Sequence, residues 1–340
     1  MHATRLLPLL LVPLVVALQD AGPGDAPGWR EGRGWGWIWG EDDEHGALNH
    51  MSDATRLEAL SLVTEGRVYD LGVTFSRRSF VWPGHSATEV MTFRSPDGLR
   101  RQADLDFTLP EVNRDRLGWH SCSLFVSDNV ATQIDGLGHI VGGDQTHAYN
   151  GIPLDELSGD FGVRRLSAAG IPPIVNRAVL LDIAGLLEVD ALPASFAITP
   201  AHVDAALERQ GVEIRVGDIV LLRTGTLRHW GEDGADHDTL AAHDSAGITL
   251  ETARYLVEQK GALALGSDTS GLEVSPAPEG SSCFVPVHRY LLLEQGVHIL
   301  EFHDLEELAR DEVWEFCYMG TTNKIAGTTA GFALRPIAMR

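Results

Sequence analysis

The stretch Thr249–Thr269, TLETARYLVEQKGALALGSDT, decides the fold. It reads as a helix ended by Gly261, where a glycine relieves the left-handed cap, followed by an apolar strand that stops at Asp268 and Thr269. The same unit stands on either side of it. TPAHVDAALERQG (199–211), with Pro200 in the first helical turn, leads into DIVLLRTG (218–225), which ends in Arg223 and Thr224. PVHRYLLLEQG (286–296) leads into VHILEF (297–302), whose polar end is Glu301. Helices alternating with strands imply a layered α/β sheet. Ligands of open α/β sheets collect at the carboxyl ends of strands, so Arg223, Thr224, Asp268, Thr269 and Glu301 are site candidates. For the two threonines an ordinary loop role is an equal alternative.

Upstream, MSDATRLEALSLVTEG (51–66) reads as a helix capped by Ser52 or Asp53 and stopped at Gly66. RVYDLGVTF (67–75) alternates like a strand. Residues 75–120 are turn-rich, with short strands expected at ATEVMTFR (87–94) and RQADLDFTL (101–109). No internal repeat and no linker divides the chain, so one domain is expected over residues 29–340.

Residues 1–28 read separately. A thirteen-residue apolar run, Leu6–Leu18, follows one arginine and precedes Gly/Pro/Asp-rich sequence. That is a secretory signal pattern, with cleavage near residue 17 or 21, and the expected location is secreted or periplasmic. The run is too short to span a bilayer, and Pro8 and Pro13 interrupt it, so no membrane association is expected after cleavage. The formal net charge of −22 argues against nucleic acid as a partner. Cys122, Cys283 and Cys317 have no zinc-ligand spacing and read first as small buried hydrophobes.

The chemistry concentrates in SDNVATQIDGLGHI, Ser127–Ile140. In an extended segment Asn129, Gln133 and Asp135 face one way, and a kink at Ala131 would bring their oxygens onto one ion. His139 would stand beside them. The polar-turn alternative has Asn129 and Gln133 bonding only the loop backbone.

This segment resembles the signature of the cyclase family, metal-dependent hydrolases that include bacterial kynurenine formamidase and isatin hydrolase. Their pattern H-x-G-T-H-x-D-x-x-x-H meets N-V-A-T-Q-I-D-G-L-G-H here. Thr132, Asp135 and His139 match, whereas Asn129, Ala131 and Gln133 do not. WGEDDEHGALNHMSDATRLEALSLVTEGRVYDLG (39–72), HAYNGIP (147–153), VLLRTG (220–225), GSDTSGLEVSPAP (266–278) and VPVHRYLLLEQGVHILEFHDLEEL (285–308) are similar to further family segments. The resemblance implies a swivelling β/β/α single domain with a mixed sheet and flanking helices, and a homo-oligomer, dimer or tetramer. It places Asn129, Gln133, Asp135, His288 and Glu301 at a metal, and makes His139 the acid/base group with Asp135 and Glu301 as catalytic partners.

Neutral carboxamides at two imidazole positions favour a hard ion, manganese over zinc, or no ion at all. A metal held only by oxygens of Asp135, Gln133 and Glu301 would bind with little pH dependence above pH 6. Without an ion, Arg223 would balance the carboxylates. The expected activity is hydrolysis of an amide, cyclic amide or lactone in a small, partly aromatic molecule, with Phe80, Trp82, His85 and Arg223 contacting it. Trp35, Trp37 and Trp39 are further candidate walls, while His229, His237 and His243 read as exposed and without role. The alternative is a metal-free cyclase or dehydratase, or a binding protein with an eroded site.

Overall fold

The computed structural model describes residues 27–231, 236–332 and 334–340. The signal-peptide reading falls on residues 1–21, outside the described residues. Thirteen strands are present among the described residues: β1 (Val68–Asp70), β2 (Glu89–Arg94), β3 (Ser121–Phe125), β4 (Gln133–Asp135), β5 (Ile174–Asp182), β6 (Ala197–Ile198), β7 (Ile219–Arg223), β8 (Gly247–Ile248), β9 (Ala264–Ser267), β10 (His298–Glu301), β11 (Glu315–Gly320), β12 (Ala330–Gly331) and β13 (Ile337–Met339). Nine of them form one mixed sheet in the order β1-β13-β11-β5-β7-β9-β10-β4-β12. Its centre, β5-β7-β9-β10, is parallel, as helix-strand alternation demands. Antiparallel strands flank it on both sides.

The middles of the central strands are apolar because both faces are covered, and polar residues stand toward their ends. Leu180, Leu181, Leu221, Leu222, Leu265 and Ile299 all belong to one core. The covering helices start and stop where local chemistry dictates. Pro200–Gln210 begins with proline and ends at Gly211 with φ +64°. Leu250–Arg254 starts on the Thr249 side chain and is continued by Tyr255–Gln259. Pro286–His288 is continued by Arg289–Gln295 and closes at Gly296. Among the described residues no helix is long and apolar enough to cross a membrane.

Several local expectations fail for visible reasons. RQADLDFTL contains no strand: Ser95 caps and Pro96 starts a helix that runs to Gln102, and Asp106–Thr108 forms a single turn. The helix capped by Ser52 ends at Leu60, well before Gly66, and the strand expected over 67–75 shortens to Val68–Asp70. Of the cysteines, only Cys317 is buried; Cys122 is exposed, and all three are free.

For function the decisive feature is the β4-β10 pairing. Its register sets Gln133 against Glu301 and Asp135 against Ile299. Side chains alternate between faces along a strand, so Gln133, Asp135 and Glu301 point to the same side of the sheet. The helix that feeds β10 delivers His288 to that side.

Candidate metal centre and active site

Asp135, His288 and Glu301 are buried, and one ligand atom from each lies within 4.8 Å of the others. His288 Nε2 stands 3.6 Å from Asp135 Oδ2 and 3.7 Å from Glu301 Oε1. Gln133 Nε2 donates to Glu301 Oε2 at 2.8 Å and lies 3.4 Å from Asp135 Oδ1. Two buried oxygens in this cluster, Gln133 Oε1 and Asp135 Oδ2, have no hydrogen-bond partner. An orphaned buried acceptor is costly, and a cation at the centre of the cluster would satisfy both. The donor set therefore fits a divalent ion: two carboxylates, one imidazole and an amide oxygen within reach.

Glu273 completes this arrangement. Its Oε1 meets His288 Nδ1 at 2.5 Å, and its two oxygens also accept the backbone N–H groups of His288 and Val287 at 3.1 Å. With Nδ1 committed to Glu273, Nε2 is the nitrogen turned toward Asp135 and Glu301, the orientation that a carboxylate imposes on a metal-binding histidine. Burial opposes a charge on His288, but the hydrogen bonds to Glu273 and Glu301 outweigh it and push its pKa up to about 10. Burial also raises the Asp135 carboxyl, to about 6, against the opposing pull of His139. An imidazole among the candidate ligands competes for protons, so a centre that includes His288 would bind an ion with a pH dependence that a set of Asp135, Gln133 and Glu301 alone would lack.

The kink at Ala131 is present. Its φ is +57°, a left-handed conformation that costs a residue with a Cβ about 1–2 kcal/mol. The family pattern has glycine there. Thr132 holds the kink: its hydroxyl donates to Phe302 O at 2.7 Å and accepts from Val73 N at 2.9 Å. Asn129 lies 3.5 Å from Gln133 and gives its amide N–H to Asp128 Oδ1 at 2.9 Å. Asp128 in turn accepts from the backbone of Thr329 and Ala330. Asn129 therefore lies beside the three-ligand cluster, with its Oδ1 toward Gln133.

A cavity of about 240 Å³ opens above the cluster. Gln133, His288 and Glu301 form its floor, with Asn129 and His139 beside them; Trp82, Pro83, Phe284 and Val285 supply apolar wall. The His139 and His288 rings are 6.5 Å apart between centroids. His85, at the rim, meets Ser127 Oγ at 3.2 Å; burial, and then the charge of His139, lower its pKa.

Three expectations are corrected. Arg223 does not line the cavity, because its guanidinium is committed to Asp182 at 2.8 Å and to both oxygens of Glu306 at 2.8 and 2.9 Å. Phe80 is buried behind Trp82, edge-on to it at 5.8 Å, and supports the wall without forming it. The tryptophans of the lead-in are packing groups: Trp35 and Trp37 donate to backbone oxygens of Ala262 and Leu293, and Trp39 stacks on Trp35. Thr224, with Gly225, holds Asp268 away from the cavity.

The sequence assigns no role to three cavity residues. Glu273 lies in GSDTSGLEVSPAP, a segment that carries the family resemblance without pointing to it. Ser270 accepts a hydrogen bond from the Trp82 indole. His243, expected to be without role, lines the cavity and stands edge-on to Trp82 at 5.6 Å. Only the fold brings these segments together.

The cyclase family model matches residues 69–274, more than half of the chain. The chain belongs to the cyclase family. A solved structure described as a novel cyclase is 26% identical, with a TM-score of 0.76 over 89% of this chain and 96% of its own. Isatin hydrolase A from Ralstonia solanacearum is 17% identical, with a TM-score of 0.58 over 85% and 97%. Isatin hydrolase A from Labrenzia aggregata, bound to benzyl benzoate, is 19% identical, with a TM-score of 0.55 over 84% and 98%. These likenesses extend the cyclase fold over nearly the whole described chain. No curated protein matches the sequence significantly.

Proposed function

We propose that this cyclase-family protein hydrolyses an amide, cyclic amide or lactone bond in a small, partly aromatic molecule, with a divalent ion at Asp135, His288 and Glu301. The observation that carries the reading is the buried three-ligand cluster, with its orphaned oxygens, at the floor of a cavity that His139 also lines. A divalent ion there supplies a Lewis acid that polarises a carbonyl and makes water a stronger nucleophile. Glu273 keeps His288 Nε2 turned inward, and Gln133 fixes the second oxygen of Glu301. His139, half-buried and with its ring in the cavity wall, moves the proton between water and leaving group. Trp82 and Phe284 exclude solvent and receive an aromatic ring. The isatin hydrolases that share the fold make a fused-ring cyclic amide a reasonable first compound.

The test is a hydrolysis screen of N-formyl, cyclic imide, cyclic amide and lactone compounds with the chelated and the manganese- or zinc-loaded protein. Turnover that disappears with chelator, returns with metal and is lost in His139→Ala supports the proposal. One observation favours a metal-free second reading: Gln133 Nε2 and His288 already face both carboxylates. Turnover insensitive to chelator would select it. The apolar run Leu6–Leu18 supports export; intact Met1 on protein recovered from the native host would refute that.

A further inference from the structure

The cavity wall holds Asn129 but not its neighbour Asp128. The Asp128 carboxylate has its two oxygens committed in different directions. Oδ2 accepts the backbone N–H groups of Thr329 and Ala330 at 2.6 and 3.3 Å, and the Thr329 hydroxyl at 3.1 Å. Oδ1 accepts a side-chain N–H of Asn129 at 2.9 Å. The anchoring end is part of the frame that carries the cluster. Ala330 of β12 pairs with Asp135, and Thr329 O accepts from Gly136 N at 2.9 Å.

A carboxamide has two ends of nearly equal size and opposite use: the oxygen accepts and the NH₂ donates. Whichever end Asn129 shows to the cluster decides whether a cation there meets a lone pair or a hydrogen. On the cavity side the nearest contact is weak, because Asn129 Oδ1 and Gln133 Nε2 are 3.5 Å apart, at the limit of a hydrogen bond. On the other side the contact is decisive. An ionised carboxylate can only accept, so Asp128 takes the NH₂ and leaves the oxygen toward the cluster. Hydrogen bonds to an ionised partner are also about twice as strong as neutral ones.

We propose that Asp128 is a positioning residue for the metal centre: it locks the Asn129 carboxamide with Oδ1 toward the cluster and so makes Asn129 an oxygen donor for a divalent ion. The inference rests on the divalent ion at Asp135, His288 and Glu301 and adds a residue that acts on it through Asn129.

Asp128→Asn gives the lock a defined failure. The backbone donors of Thr329 and Ala330 cannot turn round, so the new carboxamide keeps its oxygen there and sends its NH₂ toward Asn129. Asn129 must then answer with its oxygen and show its own NH₂ to the cluster. Calorimetric titration of the chelated full chain with Mn²⁺ reads the result, with circular dichroism as a folding control. Asp128→Asn is expected to weaken binding by about 10–100-fold, the usual effect of losing a group that orients a ligand. The loss should at least equal that of Asn129→Ala, which removes the carboxamide without turning hydrogens toward the ion. In an Asn129→Ala background, Asp128→Asn should have little further effect. Exchanging the pair, Asp128→Asn with Asn129→Asp, returns an acceptor to the cavity side and should recover binding. Asp128→Asn that binds Mn²⁺ as tightly as the parent overturns the proposal. So does an equal loss in the Asn129→Ala background, which would make Asp128 a distant charge or a support of the fold, and so does an exchanged pair that stays weak. A parent chain that takes up no divalent ion refutes the metal reading beneath the proposal, whereas the other adverse results refute the lock alone.

Discussion

Replacing Glu273 by glutamine tests the centre at its least conspicuous residue. Its carboxylate accepts three hydrogen bonds, from His288 Nδ1, His288 N and Val287 N. A glutamine of the same shape offers one oxygen and one NH₂ group. With the oxygen toward His288, the NH₂ opposes the Val287 N–H; turned over, it opposes both His288 donors. Either way at least one buried donor loses its acceptor, at about 1–3 kcal/mol, and the charge that orients the imidazole is gone. Loss of such a support weakens metal binding by about 10–100-fold, equivalent to roughly 1.4–2.7 kcal/mol. Calorimetric titration of chelated protein with Mn²⁺ and Zn²⁺ reads this directly. Phe284→Ala, in the cavity wall but touching none of these groups, serves as the control and should bind as the parent does. If Glu273→Gln folds normally and binds both ions within twofold of the parent, the three-ligand centre supported by Glu273 is wrong.

Arg223→Met should act on stability and leave the site alone. It strands Asp182 and Glu306, at a cost of about 3 kcal/mol in urea denaturation, with KM unchanged in the folded fraction; a large KM effect would return Arg223 to the substrate. Ala131→Val should destabilise by more than about 2 kcal/mol, because a β-branched side chain tolerates φ +57° worse than alanine, whereas Ala131→Gly stays within about 1 kcal/mol, the relieved strain offsetting a lost methyl and a freer unfolded chain. Equal effects of the two would mean that the kink is not rigid. Asp268 gives one part of the pH dependence, beside Asp135 and Asp218: burial raises its carboxyl to about 6, against hydrogen bonds from Thr224 and Gly225. The folded state thus holds this proton more tightly than the unfolded chain, so the contribution is full below pH ~4 and is lost as pH rises through ~6, up to about 3 kcal/mol. Urea denaturation from pH 4.5 to 8 should show the loss in the parent and a flatter profile in Asp268→Asn; parallel profiles would refute it.

The helix-strand units were legible because each carries its own punctuation. Pro200, Gly211, Gly261 and Gly296 mark boundaries that depend on backbone freedom alone, and the apolar strands between them show that both faces are covered. The segment after β1 was legible in part: ATEVMTFR forms β2, as its alternation implies. RQADLDFTL alternates likewise, but Ser95 and Pro96 commit its first residues to a helix, and Asp106–Thr108 makes a single turn. At the centre, Asp135 and Glu301 come into one view because they sit on neighbouring strands whose register only the fold sets. Glu273 and His243 lie in loops whose composition is ordinary. Their importance is a matter of what they touch: Glu273 reaches His288 fifteen residues on and His243 meets Trp82 across more than a hundred and fifty, and neither contact follows a helix or strand period.

The charges of that centre bear on why two imidazoles could give way to Asn129 and Gln133. Asp135, Glu273 and Glu301 are three buried carboxyl groups around one histidine. With all three ionised and His288 protonated, the cluster still carries two uncompensated negative charges, which burial makes costly. A divalent ion that replaces the proton on Nε2 leaves one. The exchange is favoured by charge even though neither carboxamide brings any, because the demand for a cation comes from the carboxylates and from Glu273 behind the imidazole. Gln133 supplies an N–H that pins Glu301 while its own oxygen has no hydrogen-bond partner in the same cluster. The carboxamides would therefore bear on which ion such a centre holds and how firmly. The demand for a cation resides in Asp135, Glu301 and Glu273.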